Sequence, residues 1–184
     1  ICRGETLVAL GLTEPRGGSD AANLQLKARR DNEGYVLDGE KTSISMIEQA
    51  ESIVVFARTG EADSGARGVT AFHVPLDLPG ISRSSFNDVG SKVVGRGSVF
   101  FQDVKVPDEW RIGGEGEGFR TVMQGFDYSR ALIGLQVLAP AGAYTSMRLR
   151  GSVPYTTSVV TVRPPVETTR FRVFWAPCWE HPVM

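Results

Sequence analysis

The densest chemistry in the chain lies in Thr13-Glu14-Pro15-Arg16-Gly17-Gly18-Ser19-Asp20, which follows the apolar stretch Leu7 to Leu12. Gly17 and Gly18 let the backbone turn with N–H groups facing outward, and the Ser19 hydroxyl adds a donor, a set that suits a phosphate or pyrophosphate. The Thr13 hydroxyl could reach a ring. The competing reading is a plain polar turn with an Asx-type cap at Asp20. Asp127 and Arg130 form a second pair, spaced i,i+3, which by itself reads as a surface ion pair worth a few tenths of a kcal/mol. With His73 and His181 as the only histidines, no Ser/His/Asp arrangement is available, and no cluster has metal-ligand spacing. His73 reads as a strand residue and Glu14 as a structural member of its loop. Gly114-x-Gly116-x-Gly118 lacks the preceding strand of a dinucleotide fingerprint and reads as a hinge into a helix.

The elements that must hold these groups are mainly short strands. Leu24, Leu26 and Ala28 alternate with Gln25, Lys27 and Arg29, then Asp31-Asn32-Glu33-Gly34 supplies turn chemistry before Tyr35-Val36-Leu37, so a hairpin is expected. Asp38-Gly39 reads as a second turn. Further strands are expected at Lys41 to Ser45, Ile53 to Ala57, Gly68 to Val74 ending at Pro75, and Val99 to Val104. This density of strands predicts a mainly β fold, an antiparallel β-barrel or two packed sheets. Phe119, Val122, Met123 and Phe126 fall at helical spacing, so a helix begins near Glu117. It extends over Arg130 to Leu138 with Leu132, Leu135, Val137 and Leu138 buried, and Pro140 ends or kinks it.

Composition sets the limits. The 184 residues carry 20 Lys+Arg, 21 Asp+Glu and a net charge of −1, which argues against a nucleic-acid partner, and no apolar run reaches the length of a membrane span. Cys2 and Cys178 form no CxxC pattern, so a reducing, cytoplasmic setting is expected. Ile1 at the start reads as a cut edge. Residues 141–184 hold five Arg, two Glu, no Lys and no Asp, a break in composition that sets a boundary there. Thr156 to Val162 looks strand-like, but prolines interrupt the rest. A tail of this kind is what coding DNA read in a wrong frame yields; a genuine extension pairing with the β-domain is the alternative.

Several unlike motifs stand in a familiar order: Thr13-Glu14-Pro15 with Gly18-Ser19-Asp20, Tyr35 to Lys41 leading into Ser43-Ile44-Ser45, Phe101-Gln102-Asp103-Val104-Lys105-Val106-Pro107, and Gly116-Glu117-Gly118-Phe119. Over Leu7 to Leu138 the chain resembles the acyl-CoA dehydrogenase family. The resemblance implies a middle β-domain at 1–110, a linker and start of the C-terminal helical domain at 111–140, and an unassigned tail at 141–184. It implies FAD as cofactor and removal of two hydrogens from the α and β carbons of an acyl-CoA thioester. Leu12 and Thr13 are carried over as contacts near the flavin ring, Gly18 and Ser19 near the pyrophosphate, and Ser43, Ile44 and Ser45 as the segment beside the ring. Ser45 supplies the hydroxyl near flavin N5. Ser43 stands where the family usually has an indole, which implies a roomier flavin edge suited to a branched or alicyclic acyl group. Ser19, Asp127 and Arg130 are the substrate contacts implied.

No catalytic base is identified, because nothing after Leu138 looks like the family's helix that carries its glutamate. Such a fragment is expected to be inactive alone. For the intact parent the resemblance implies an acyl-CoA substrate, an electron-transfer flavoprotein or similar acceptor, and a homo-oligomer. Two alternatives stay open: a flavin-dependent monooxygenase or oxidase of the same fold, and a non-catalytic β-barrel fragment or binding module.

Overall fold

The computed structural model describes Arg3, residues 5–90 and residues 93–149. Thr156 to Val162, both cysteines and His181 lie outside the described residues. The described residues form eight strands: β1 (Val8–Gly11), β2 (Lys27–Asp31), β3 (Gly34–Ser45), β4 (Ser52–Arg58), β5 (Val69–Pro75), β6 (Ile81–Ser85), β7 (Arg96–Pro107) and β8 (Arg111–Ile112). One helix, α1 (Gly118–Leu149), follows. Two compact units divide between Gln136 and Val137, and the strands belong to the first. No helix among the described residues is long and apolar enough to cross a membrane.

The mainly β architecture followed by a helix is as the sequence predicts. The strands form one sheet in the order β6-β7-β3-β2-β4-β5-β8, with β1 also on β4. The pairing is mixed rather than wholly antiparallel, because β1 and β2 both run parallel to β4. Parallel neighbours need a long connection between them, and the chain from Leu12 through β3 supplies it. The sheet is not closed, since β6 and β8 are its two ends.

The expected hairpin is β2–β3, with Asp31 opposite Gly34 across a two-residue turn. Asp38-Gly39 is not a turn. Both lie within β3, where β7 carries an extra residue between the pairs Leu37↔Val104 and Gly39↔Phe101. The Asp103 N–H donates to Asp38 Oδ1 at 2.8 Å, and Gly39 (φ 137°) leaves room for Leu26, whose Cα a Cβ would meet at 3.0 Å. Turn-forming residues here serve a bulge.

Alternation in β4 and β5 divides the interior. Ile53, Val55, Ala57, Phe72 and Val74 join Leu26, Leu37, Ile44, Val99, Phe101 and Val104 in the main core. Because both halves of the sheet feed that cluster, the sheet wraps around it. Phe56, Val69 and Ala71 face the other way and meet Leu12, Leu24 and Val122, with Phe119, Met123 and Phe126 partly buried against them. The first turns of α1 therefore dock on the outer face of the sheet.

The start of α1 is fixed by contact. The Gly116 N–H donates to Thr70 Oγ1 at 2.9 Å, and a Cβ at Gly118 would lie 2.7 Å from the Ala71 nitrogen, so only glycine lets the helix sit this close to β5. The Gly114–Gly118 segment is a hinge into a helix, as its sequence indicates. The helix continues through Pro140 to Leu149. Proline removes a single N–H from the ladder, and the turns on either side keep theirs. Tyr128 is 74% exposed, and Leu132, Ile133, Leu135, Val137 and Leu138 are exposed as well. The burial expected for this stripe is not found, since no described element covers it. His73 is an exposed strand residue whose Nε2 lies 2.9 Å from Ser52 Oγ.

Candidate functional site

After β1 the chain makes a tight turn closed by the Gly17 N–H donating to the Glu14 carbonyl at 3.1 Å. Neither Gly17 nor Gly18 has a positive φ, so the turn does not need glycine for its backbone angles. What the two glycines provide is bare backbone. A Cβ at Gly17 would meet nothing within 4 Å, and one at Gly18 only Thr13 Cγ2 at 3.5 Å. The Gly17 N–H is used inside the turn rather than facing outward. Those of Gly18 and Ser19, with the Ser19 hydroxyl, have no acceptor among the described residues.

Glu14 points inward and anchors this loop. Its carboxylate accepts from the Gln25 N–H at 2.6 Å, the Leu26 N–H at 2.9 Å and Lys41 Nζ at 2.8 Å. Lys41 Nζ also donates to the Leu12 carbonyl at 3.2 Å, and the Lys41 side chain is wholly buried. Burial lowers the Lys41 pKa to about 8, with Glu14 opposing the shift and Arg58 adding to it. The structural role read for Glu14 in the sequence is the one observed. Its partner Lys41 is the residue that sequence reasoning missed, although the G-x-K spacing carries the signal.

The opposite wall comes from a bulge in β3. Lys41 pairs with Val99 and Ile44 with Gly97, so β3 holds one extra residue there, and Ser43 takes up the strain at φ 55°. Across the bulge Lys41 and Ile44 face inward, and Thr42, Ser43 and Ser45 outward. The Thr42 N–H donates to the Thr13 carbonyl at 2.9 Å, joining the two walls. Arg96 is held by Asp88 through two bonds of 2.8 and 3.0 Å and reaches Ser43 Oγ at 3.4 Å.

Between the walls, and closed by α1, lies a cleft of about 360 Å³ lined by Leu10, Leu12, Thr13, Gly18, Ser19, Ala21, Thr42, Ser43, Phe119, Met123, Phe126 and Arg130. It brings together Leu12, Thr13, Gly18, Ser19, Ser43 and Arg130 from the residues singled out in the sequence. Ile44 is 2% exposed within the main core, because the bulge shifts the alternation by one. Its side chain faces away from the cleft. Ser45 lines a separate depression of about 440 Å³ with Asp88, Val94 and Arg96. Asp127 does not line the cleft; it holds Arg130 at 2.7 Å in an exposed pair. Phe119, Met123 and Phe126 were legible as a helical stripe, but their place as a wall of the cleft depends on where α1 docks.

The lining suits an anionic ligand with a flat apolar part. Arg130, the Ser19 hydroxyl and the N–H groups of Gly18 and Ser19 are donors, while Leu10, Leu12, Phe119, Met123 and Phe126 give apolar surface. No carboxylate is in the lining. These residues fit the phosphate-bearing, ring-bearing dinucleotide that the sequence implies, with glycines where a backbone must come close to phosphate.

Comparison with known proteins shows the family. Residues 9–104, just over half of the chain, match the family model "Acyl-CoA dehydrogenase, middle domain". The chain is 37% identical over 145 residues to a short-chain specific acyl-CoA dehydrogenase of Megasphaera elsdenii, covering 78% of this chain and 38% of that protein. An acyl-CoA dehydrogenase structure from Geobacillus kaustophilus superposes with a TM-score of 0.65 at 35% identity, over 69% of this chain and 34% of that one. A chain in a structure described as the electron transferring flavoprotein of Acidaminococcus fermentans gives a TM-score of 0.64 at 34% identity, over 67% and 33%. The chain spans about a third of the length of the curated relatives it matches.

Proposed function

Because the chain belongs to the acyl-CoA dehydrogenases, a family of FAD-dependent oxidoreductases, with its sheet as their middle domain, we propose that the cleft between the Leu12–Ser19 loop, the β3 bulge and α1 holds FAD. The single observation that carries this is the convergence of bare backbone, hydroxyl donors and an apolar wall at one cleft free of carboxylates. Gly18 and Ser19 would hold the phosphates, Leu12 and Thr13 the ring, and Ser43 its edge, while Ser45 lies outside the cleft. Held there by these residues, FAD would supply a hydride acceptor for the β carbon of an acyl-CoA thioester.

The chain's own residues bind and orient. Ser19 and Arg130 offer donors to anionic groups of cofactor or CoA, and Asp127 steadies Arg130 by its 2.7 Å contact. Among the described residues no Asp, Glu or His lines the cleft, so on this reading the cleft binds and orients, and the chain by itself is expected to be inactive in α,β-dehydrogenation. Ser43, small and exposed at the mouth, supports an acyl group that is branched or alicyclic. For the intact enzyme an electron-transfer flavoprotein is the acceptor, and a homo-oligomer its assembly.

Titration of the purified chain with FAD, followed by the flavin spectrum and protein fluorescence, with and without an acyl-CoA, tests this. Saturable one-to-one binding without turnover is expected. Turnover of the acyl-CoA by this chain would overturn the assignment of a cleft without a base.

A further inference from the structure

We propose that Lys41 is a positioning residue for the cleft: its ammonium ties the Leu12 carbonyl and the Glu14 carboxylate to the start of the β3 bulge. It thereby sets the spacing between the glycine loop and Thr42–Ser43. The consequence for FAD rests on the flavin reading above; the geometric content does not.

Three observations carry it. First, Lys41 is wholly buried, yet the inward positions around it hold Leu37, Ile44 and Val99, so apolar packing alone would be met by an aliphatic residue. A buried ion pair is weak evidence for stability, and its best-attested use is to fix register. Second, the pair joins three segments that lie apart in sequence. Nζ reaches Leu12 at 3.2 Å and Glu14 at 2.8 Å, while the same carboxylate accepts from Gln25 and Leu26. Third, the neighbouring bulge is strained. Ser43 at φ 55° is a conformation that persists only where the surroundings over-determine it. Here Thr42 is held by the Thr13 carbonyl and the Ser98 hydroxyl, and Ser43 by Arg96. Lys41 holds the bulge from below.

The charge on Lys41 is adjustable. Burial brings its pKa to about 8 against the attraction of Glu14, with Arg58 the other charged group acting on it. Raising the pH through 8 removes the ammonium and with it the charge-assisted bonds to Leu12 and Glu14.

Amide hydrogen exchange on the whole chain tests this, with the Thr42 N–H reporting the contact between the two walls and the β4–β5 ladder reporting the fold. In wild type, Thr42 protection relative to the ladder is expected to fall at least tenfold between pH 7 and pH 9. In Lys41→Met, with the ladder still protected, it is low at both pH values, and FAD affinity drops at least tenfold. A folded Lys41→Met with wild-type protection at Thr42 overturns the proposal. Should that variant not fold, Glu14→Gln takes its place, and wild-type protection at Thr42 in that folded variant overturns the proposal. A wild-type Thr42 response without FAD binding leaves the positioning role standing and removes the flavin reading.

Discussion

Arg58 offers a sharp test of how the cleft is supported from behind. Its side chain is 8% exposed and has no carboxylate partner among the described residues. Instead the guanidinium donates to the carbonyls of Leu24 at 2.9 Å, Ala22 at 2.7 Å and Gly65 at 3.2 Å, and to Ser64 Oγ at 3.1 Å. These bonds pin the Ala21–Asn23 turn, which carries Ala21 into the cleft, to the Gly65–Gly68 turn. Arg58→Met keeps the aliphatic stem and removes the donors. Hydrogen bonds to a charged group contribute about 1.5–3 kcal/mol each, they are not additive, and the cost of desolvating the guanidinium is recovered. A net loss of about 2–4 kcal/mol is expected, equivalent to roughly 4–16 °C in melting temperature for a chain of this size. Thermal unfolding followed by far-ultraviolet circular dichroism measures it. Arg58→Lys separates charge from geometry, because a lysine ammonium lacks the planar fork that reaches Leu24 and Ala22 together, and it should lose most of the same stability. A melting temperature for Arg58→Met within 1 °C of wild type would refute the reasoning.

Other expectations follow from single contacts. The folded chain binds the Lys41 proton less tightly than the unfolded chain, since its pKa falls from 10.5 to about 8. Stability therefore rises with pH between about 8 and 10.5, by at most about 3 kcal/mol, and denaturant titrations of Lys41→Met should lack this rise. Gly97→Ala forces a Cβ onto the Ser84 carbonyl oxygen and within 2.8 Å of Ile47 Cγ2. It should cost about 1–3 kcal/mol by chemical unfolding and expose the β6 amides to exchange. Arg130→Ala breaks only an exposed pair, so stability should change by less than about 0.5 kcal/mol while FAD or CoA affinity falls at least threefold by isothermal titration; an unchanged affinity removes Arg130 from the site.

Much of the strand plan could be read directly. The β2–β3 hairpin has polar–apolar alternation and Asp31-to-Gly34 turn chemistry that agree with each other, and β5 ends at the proline that local rules require. Longer-range geometry could not be read. Asp38-Gly39 has the composition of a turn, but the extra residue that accommodates it lies on β7 at Asp103, 65 positions away. The family resemblance places Ile44 in the segment beside the ring with Ser43 and Ser45, and only the bulge at Thr42–Ser43 shows that the alternation slips there. Lys41 precedes the slip and faces inward by plain alternation with Tyr35 and Leu37. For Leu132, Leu135, Val137 and Leu138, apolar spacing predicts burial, yet periodicity names a face without naming what covers it. The parallel pairing of β1 with β4 is invisible to hairpin rules, since its partners are joined through the whole of β2 and β3.

The claim that organises this account is that the Leu12–Ser19 loop and the β3 bulge form one flavin-binding cleft with α1. Amide NMR spectra of the chain recorded with and without saturating FAD test it most directly. The predicted result is a set of shifts confined to Thr13, Gly18, Ser19, Thr42, Ser43 and the first turns of α1, with the β6 and β8 edges unmoved. Shifts centred elsewhere, or binding that leaves those five residues and the first turns of α1 unchanged, would contradict it.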